Sequence, residues 1–424
     1  QEFSEKLSQA PNIDLEEITL ALEANDNYIK IKEDLTSSEF EKIKALGLAG
    51  LSWQNQPERF YPQENFLSQT LGFLGGQGSG QYGIEGYYDD ILAGRSGIEE
   101  QKSGLLSIFE GNQETLLDGS DIYLTIDYNI QFQVESLLKK AKEDLDIDSG
   151  QIIVIKPDSG RILALADYPS FNVNYYSKEQ SLNVFQNSAV QKLFEPGSIM
   201  KPLTMASAIN EGKITPKTTY FDEGYVVVGI EKINNFAFED YGEQTMTEVL
   251  ENSINTGAVF AEQQIGHKTF FDYIKQFGFT QKTGVDLQGE VYSLNNNLKN
   301  GRDIEYATAS FGQGIELTPI QIVRAFSAIA NQGKMIKPYI VEKVVNGGEE
   351  NKTIPEFSEQ IISKKTASEV TTILVSVIDN GFHGTAKMPG YYIAGKTGTA
   401  QIPLKNGRGY EPDKTIQSFV GFGP

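Results

Sequence analysis

Two serines, two lysines and an asparagine fall into three short stretches in a fixed order: Ser198-Ile199-Met200-Lys201, Ser253-Ile254-Asn255 and Lys396-Thr397-Gly398-Thr399. A serine hydroxyl is a weak nucleophile and needs a base within hydrogen-bond reach. The chain holds only 2 histidines, so this chemistry must run on lysine. Lysine can act as a base only if its pKa falls well below about 10.4, through burial or a nearby cation. Lys396 is a candidate for that cation. Pro196-Gly197 halts the preceding segment and Pro202 fits only the first turn of a helix, so a helix is expected to start at or next to Ser198. The spacing of three then puts Lys201 on the same face as Ser198, at the positive end of the helix dipole.

The other two stretches supply partners. A loop between helices at Ser253 and Asn255 can point a hydroxyl and an amide into a cleft, giving a proton shuttle and a donor/acceptor pair for a substrate amide. Lys396-Thr397-Gly398-Thr399 follows an apolar run and reads as an edge strand, where Gly398 leaves room for an extended peptide. Its hydroxyls and Lys396 could bind a terminal carboxylate, and the Thr399 N–H could form an oxyanion hole with that of Ser198. Taken singly, each stretch also has a bland reading. These are a solvated helix face, ordinary N-capping and an edge strand kept soluble by lysine.

Composition removes competing chemistries. Lys+Arg is 36 against Asp+Glu 57, a net charge of -21, which lacks the basic footprint of a nucleic-acid binder. With no cysteine, disulfides, thiolate zinc sites and cysteine nucleophiles are excluded. No cofactor and no metal site is expected. Gly78-Ser79-Gly80-Gln81-Tyr82-Gly83 has dinucleotide-loop spacing but no strand before it. Asp144, Asp146 and Asp148 resemble a calcium loop, yet Ile155 stands where the bidentate Glu belongs. His267 and His383 read as loop or surface residues.

The elements that must carry these residues are legible in outline. Thr36 and Glu39 form a capping box for a helix stopped by Gly47. Residues 121–126 read as a strand, and Asp127 caps a helix with Ile130, Val134, Leu137 and Ala141 on its apolar face. Residues 151–156 and 161–166 flank a turn and predict a hairpin. Thr245 with Glu248, and Thr318 before Pro319, mark two further helix starts. The pattern is α+β with an antiparallel sheet. A Gly/Asp-rich stretch near residues 111–119 suggests two domains, an accessory domain over 1–117 and a catalytic one over 118–424. Nothing in the sequence approaches about 18 consecutive apolar residues, so no membrane span is expected within it.

The order and surroundings of the motifs resemble a penicillin-binding protein. They include Glu195-Pro196-Gly197-Ser198, Gly312-Gln313-Gly314 before Thr318-Pro319, and Ala394-Gly395-Lys396-Thr397-Gly398-Thr399-Ala400-Gln401. The N-terminal part, through Arg59-Phe60-Tyr61-Pro62 and Gly83-Ile84-Glu85-Gly86-Tyr87-Tyr88, is similar to the pedestal of the class B, monofunctional members. The resemblance implies a penicillin-binding/β-lactamase-like transpeptidase domain, its antiparallel sheet flanked by helices, on an extended pedestal. It implies acyl transfer on peptidoglycan stem peptides ending in D-Ala-D-Ala. Ser198 would attack, Lys201 would take the proton, and Ser253 would pass one to the leaving D-Ala. Asn255 would hold the substrate amide, while Lys396, Thr397, Gly398 and Thr399 would bind the substrate's end. β-Lactams would stall the enzyme as an acyl adduct. The family's membrane anchor would lie upstream of Gln1 and place the protein on the extracytoplasmic face of the bacterial membrane. A final strand and helix would follow Phe422, and a membrane glycosyltransferase and other cell-wall machinery would be partners. The alternatives are a β-lactamase or D,D-carboxypeptidase, which use the same motifs for hydrolysis, and a β-lactam-sensing or non-catalytic binding protein.

Overall fold

The computed structural model describes residues 31–32, 35–48, 51, 53, 59–76, 78–97, 115–381, 386–404 and 409–423. His383 lies outside them. Contacts divide the chain into two units, Gln1–Arg59 and Phe60–Pro424. In the first, helix α1 (Ser37–Ala45) starts as expected: Thr36 Oγ1 accepts from the Glu39 N–H, and the Glu39 carboxylate accepts from the Thr36 N–H at 3.0 Å. Among the described residues no helix is long and apolar enough to cross a membrane.

The second unit opens its larger elements with β1 (Asp121–Leu124) and α2 (Tyr128–Leu145), capped by Asp127. Next comes the hairpin of β2 (Gly150–Ile155) and β3 (Ile162–Tyr168). The buried face of α2 is Gln131, Val134 and Leu138, while Leu137, expected inside, is 56% exposed. A polar anchor sets this rotation. Gln131 donates to the Leu165 carbonyl at 3.1 Å and accepts the Leu165 N–H at 2.8 Å, locking the helix onto β3.

A 3-10 turn, Gly197–Met200, leads into α3 (Lys201–Asn210). Two nested hairpins follow. Strands β4 (Thr219–Asp222) and β7 (Gly242–Thr245) pair outside β5 (Tyr225–Val228) and β6 (Glu231–Asn234). Helices α4 (Met246–Glu251), α5 (Asn255–Ile265), α6 (His267–Gln276), α7 (Asp303–Ser310) and α8 (Pro319–Ala330) come next, and α4 and α8 both begin in capping boxes, at Thr245 and Thr318. Then come β8 (Val341–Asn346), β9 (Glu349–Lys352), α9 (Lys364–Asn380), β10 (Ala394–Pro403) and β11 (Tyr410–Phe422). The named strands pair antiparallel as β9-β8-β1, β2-β3 and β10-β11, and a parallel bridge between Arg161 and Tyr339 ties the β2-β3 hairpin to the segment leading into β8.

Helix α3 is the centre of the unit, buried from Lys201 to Ile209. A helix enclosed on all sides needs apolar neighbours all round. Leu203 and Met205 share a core with Met246 and Leu250 of α4, Phe270 of α6, Ile329 of α8 and Leu374 of α9. Burial of each such side chain contributes about 1.5–3 kcal/mol.

Two glycines let the chain cross itself ahead of α3. Gly197 and Gly312 have φ of +58° and +87°, and the Gly197 N–H donates to the Gly312 carbonyl at 3.0 Å. A Cβ on Gly312 would lie 2.1 Å from the Gly197 carbonyl oxygen, backbone that cannot swing away. Gly312→Ala is therefore expected to cost about 3 kcal/mol or more in chemical denaturation. Gly212→Ala should cost only about 1–2 kcal/mol, since Gly212 shares the positive φ (+65°) but has nothing within 4 Å of its Cβ position.

Candidate active site

The 3-10 turn stacks the Ser198 and Lys201 positions, although no hydrogen bond joins their side chains among the described residues and Lys201 Nζ turns to Ser253 instead. With three residues per turn, side chains three apart stand one above the other, and the Lys201 N–H bonds to the Ser198 carbonyl. The Ser198 side chain is half-buried and makes no hydrogen bond among the described residues. Its hydroxyl is open to a substrate.

Strand β10 crosses directly behind this turn. Period-two alternation puts Lys396, Gly398 and Ala400 on one face, and all three are buried. A Cβ on Gly398 would meet Ser418 Oγ at 2.5 Å, with Ile199 Cγ2 and the Pro196 carbonyl each 3.0 Å away. The space that this glycine leaves is thus filled on one side by the turn that carries Ser198. Glu195 fastens the turn further, accepting from the Gly314 N–H at 3.0 Å and the Tyr410 hydroxyl at 3.3 Å. Burial raises the pKa of this carboxyl. One edge of β10 pairs with β11, with Lys396 opposite Val420 and Thr399 opposite Gln417, and no described strand occupies the other.

Ser253 lies between α4 and α5 and binds the two lysines together. Lys201 Nζ donates to the Ser253 carbonyl and lies 3.3 Å from Ser253 Oγ, which Lys396 Nζ approaches to 3.0 Å. Lys396 also donates to the Thr397 carbonyl at 3.1 Å. Both lysines are 0% exposed. Burial, with the charge of Lys396 beside it, holds the Lys201 amine well below the ordinary lysine range. Burial alone brings Lys396 down to about 7. Lys201 is thereby biased toward the free base, with the Lys396 amine beside it.

Two features here were not legible from residue types. Ser253 has φ of +57°, a left-handed backbone that costs a serine about 1–2 kcal/mol. The side chain of Asn255 is held from outside the three motifs: its Nδ2 donates to the Asn234 carbonyl at 3.1 Å, which leaves Oδ1 with no partner among the described residues. Asn234 lies on β6, and no local sequence signal marks it. Thr397 is half-buried, and Thr399 is exposed, its hydroxyl donating to Gln417 Oε1 at 2.9 Å. His267 stands apart from this cluster. It bridges Glu262 and Asp303 at 2.7 and 3.2 Å and stacks on Tyr306.

Comparison with known proteins gives the family. The penicillin binding protein transpeptidase domain matches residues 150–424. The chain belongs to this family. The penicillin-binding protein dimerisation domain matches residues 1–124, the two-part organisation of the class B members. Stage V sporulation protein D of Bacillus subtilis is 35% identical over 398 residues, which cover 92% of this chain and 61% of that protein. The probable peptidoglycan D,D-transpeptidase PenA of Neisseria meningitidis is 30% identical over 430 residues, 99% of this chain and 71% of that one. The chain thus spans less than two thirds of the first relative's length. Penicillin-binding protein 3 of Mycobacterium tuberculosis, solved in complex with ampicillin, superimposes with a TM-score of 0.79 at 28% identity, covering 87% of this chain and 80% of that one.

The strained backbone at Ser253 separates stability from chemistry in this transpeptidase-family chain. Ser253→Gly relieves the positive φ and deletes the hydroxyl. Its melting temperature should fall less than that of Ser253→Ala, which loses the same hydroxyl and keeps the strain, while on the acyl-transfer reading acylation by a penicillin falls about 10²- to 10⁴-fold in both.

Proposed function

We propose that this chain is the catalytic part of a class B penicillin-binding protein, a peptidoglycan D,D-transpeptidase that crosslinks stem peptides through a serine acyl-enzyme. One observation carries the reading: a single hydroxyl, Ser253 Oγ, lies within 3.3 Å of two fully buried lysine amines beside the turn that presents Ser198.

Ser198 Oγ attacks the carbonyl of the penultimate D-Ala, and its proton passes to the neutral Lys201 amine. The oxyanion is held by the N–H groups of Ser198 and Thr399. Ser253 relays a proton to the departing D-Ala nitrogen as the C–N bond breaks, leaving an ester on Ser198. An amine from a second stem peptide then attacks that ester, gives up its proton along the same path and restores the Ser198 hydroxyl. Lys396, Thr397 and Thr399 bind the terminal carboxylate, and the unpaired edge of β10 at Gly398 receives the extended peptide. With its Nδ2 engaged by Asn234, Asn255 offers Oδ1 to a substrate N–H. A β-lactam enters the same path and remains on Ser198. No metal or cofactor enters the scheme. The reading places the chain on the extracytoplasmic side of the bacterial membrane, anchored upstream, beside a membrane glycosyltransferase.

Intact-mass measurement after benzylpenicillin treatment tests the reading. A persistent adduct on the parent, absent from Ser198→Ala, is the expected outcome. Rapid release of hydrolysed drug would instead make the chain a β-lactamase or carboxypeptidase.

The two lysines also set a pH profile. Acylation needs Lys201 neutral, so its second-order rate rises with pH through the depressed Lys201 pKa. It also needs Lys396 charged, so the rate falls above about 7, where the free enzyme's Lys396 loses its proton. Lys396→Arg, which stays protonated, should remove the alkaline fall even if the peak rate drops. A parent profile that keeps rising through pH 9 would contradict the assignment.

A further inference from the structure

Helix α5 begins at Asn255 with no cap of its own: the residue at its N-cap position is the apolar Ile254. The cap comes from twenty residues upstream. Asn235 Oδ1 accepts from the Asn255 N–H at 3.1 Å and the Thr256 N–H at 3.2 Å, satisfying two of the donors that a helix start leaves open. Asn235 is 5% exposed.

The orientation of this amide is fixed by a buried carboxylate. Asn235 Nδ2 donates to Asp222 Oδ2 at 2.8 Å and to the Glu239 carbonyl at 3.2 Å. An ionised carboxylate only accepts, so Nδ2 must face Asp222 and Oδ1 must face the helix. Asp222 is 2% exposed and also accepts from the Tyr241 N–H at 3.0 Å and from Thr256 Oγ1 at 2.5 Å, so it grips the first turn of α5 directly as well. Its charge lies by the positive end of the helix dipole. The next residue back completes the hold, since the Asn234 carbonyl takes the Asn255 side chain.

We infer that Asn235, oriented by Asp222, is a positioning residue for acyl transfer: it fixes the start of α5 and so holds Ser253 and Asn255 in register with Lys201 and Lys396. The inference rests on the acyl-transfer reading above. Ser253 cannot hold itself, because its positive φ is not a resting conformation for a serine. The segment beyond it must be clamped. One clamp is the buried Ile254, whose N–H bonds to the Val249 carbonyl at 2.9 Å. The other is the Asp222–Asn235 pair, delivered by the nested hairpins. Those hairpins therefore serve the active site although none of their residues belongs to the three motifs.

Acylation by benzylpenicillin, resolved into drug binding and the limiting acylation rate, tests this. Asn235→Ala should lower the limiting rate about 10- to 100-fold, as a misplacement near 1 Å does, with little change in drug dissociation constant. Asn235→Asp faces two buried carboxylates and should lose as much. Asp222→Ala removes the acceptor that turns Nδ2 away from the helix and should lose about as much, whereas Asp222→Asn keeps an oxygen toward Asn235 Nδ2 and the Tyr241 N–H, with the Thr256 hydroxyl free to rotate and accept, and should keep most of the rate. Asn295→Ala is the control for folding, since Asn295 is likewise buried and bridges the Phe279 and Glu316 carbonyls. It should melt earlier and still acylate within about 2-fold of the parent. The inference is overturned if Asn235→Ala acylates at the parental rate, if Asn295→Ala loses as much acylation, or if Asp222→Ala acylates like the parent. Failure of the acyl-transfer reading would look different: the parent itself would form no adduct on Ser198.

Discussion

Two lysine amines buried against one hydroxyl are the constraint on which the rest of this site depends. An ammonium taken out of water loses several kcal/mol of solvation, and two side by side repel as well. Both effects bias Lys201 toward its neutral form, and a neutral amine beside a serine is a base. Such a state persists only while water stays out. This gives a physical reason for α3 to be enclosed along its length, for α9 to back β10, and for Ser253 to be held by its neighbours. Proton affinity and packing density are here one property seen from two sides.

The crossing of Gly197 with Gly312 and β10 belongs to the same logic. The turn that carries Ser198 touches backbone on both sides and has little room to yield. Pre-organisation of this kind removes reorganisation from the barrier, as electrostatic stabilisation of a transition state requires.

What the sequence disclosed and what it hid divide by range. The capping boxes at Thr36 and Thr245, the Pro319 helix start and the β2–β3 hairpin are local and appear where spacing places them. The rotation of α2 was misread at Leu137 because Gln131, a polar residue, takes the inward position by bonding to the Leu165 backbone. The α+β pattern with antiparallel pairing is present, while the order in which the strands neighbour one another is not legible, since hydrophobic alternation marks strands but not which of them join. In the site, motif order announced Ser198, Lys201, Ser253 and Lys396, and the fold brings Lys201, Ser253 and Lys396 into direct contact. Asp222, Asn234 and Asn235 gave no signal, because their work is done across twenty or more residues by groups that look like ordinary turn formers.

The left-handed backbone of Ser253 also decides which hydroxyl the position can carry. Threonine offers the same oxygen, but a β-branched side chain is poorly tolerated at positive φ. On the extended strand β10 the preference reverses, and Thr397 and Thr399 sit where branching favours the pleat. The division of labour between serine and threonine along this cleft thus follows backbone conformation. Two side chains with near-identical acid–base chemistry are not interchangeable here, and the reason lies in a dihedral angle.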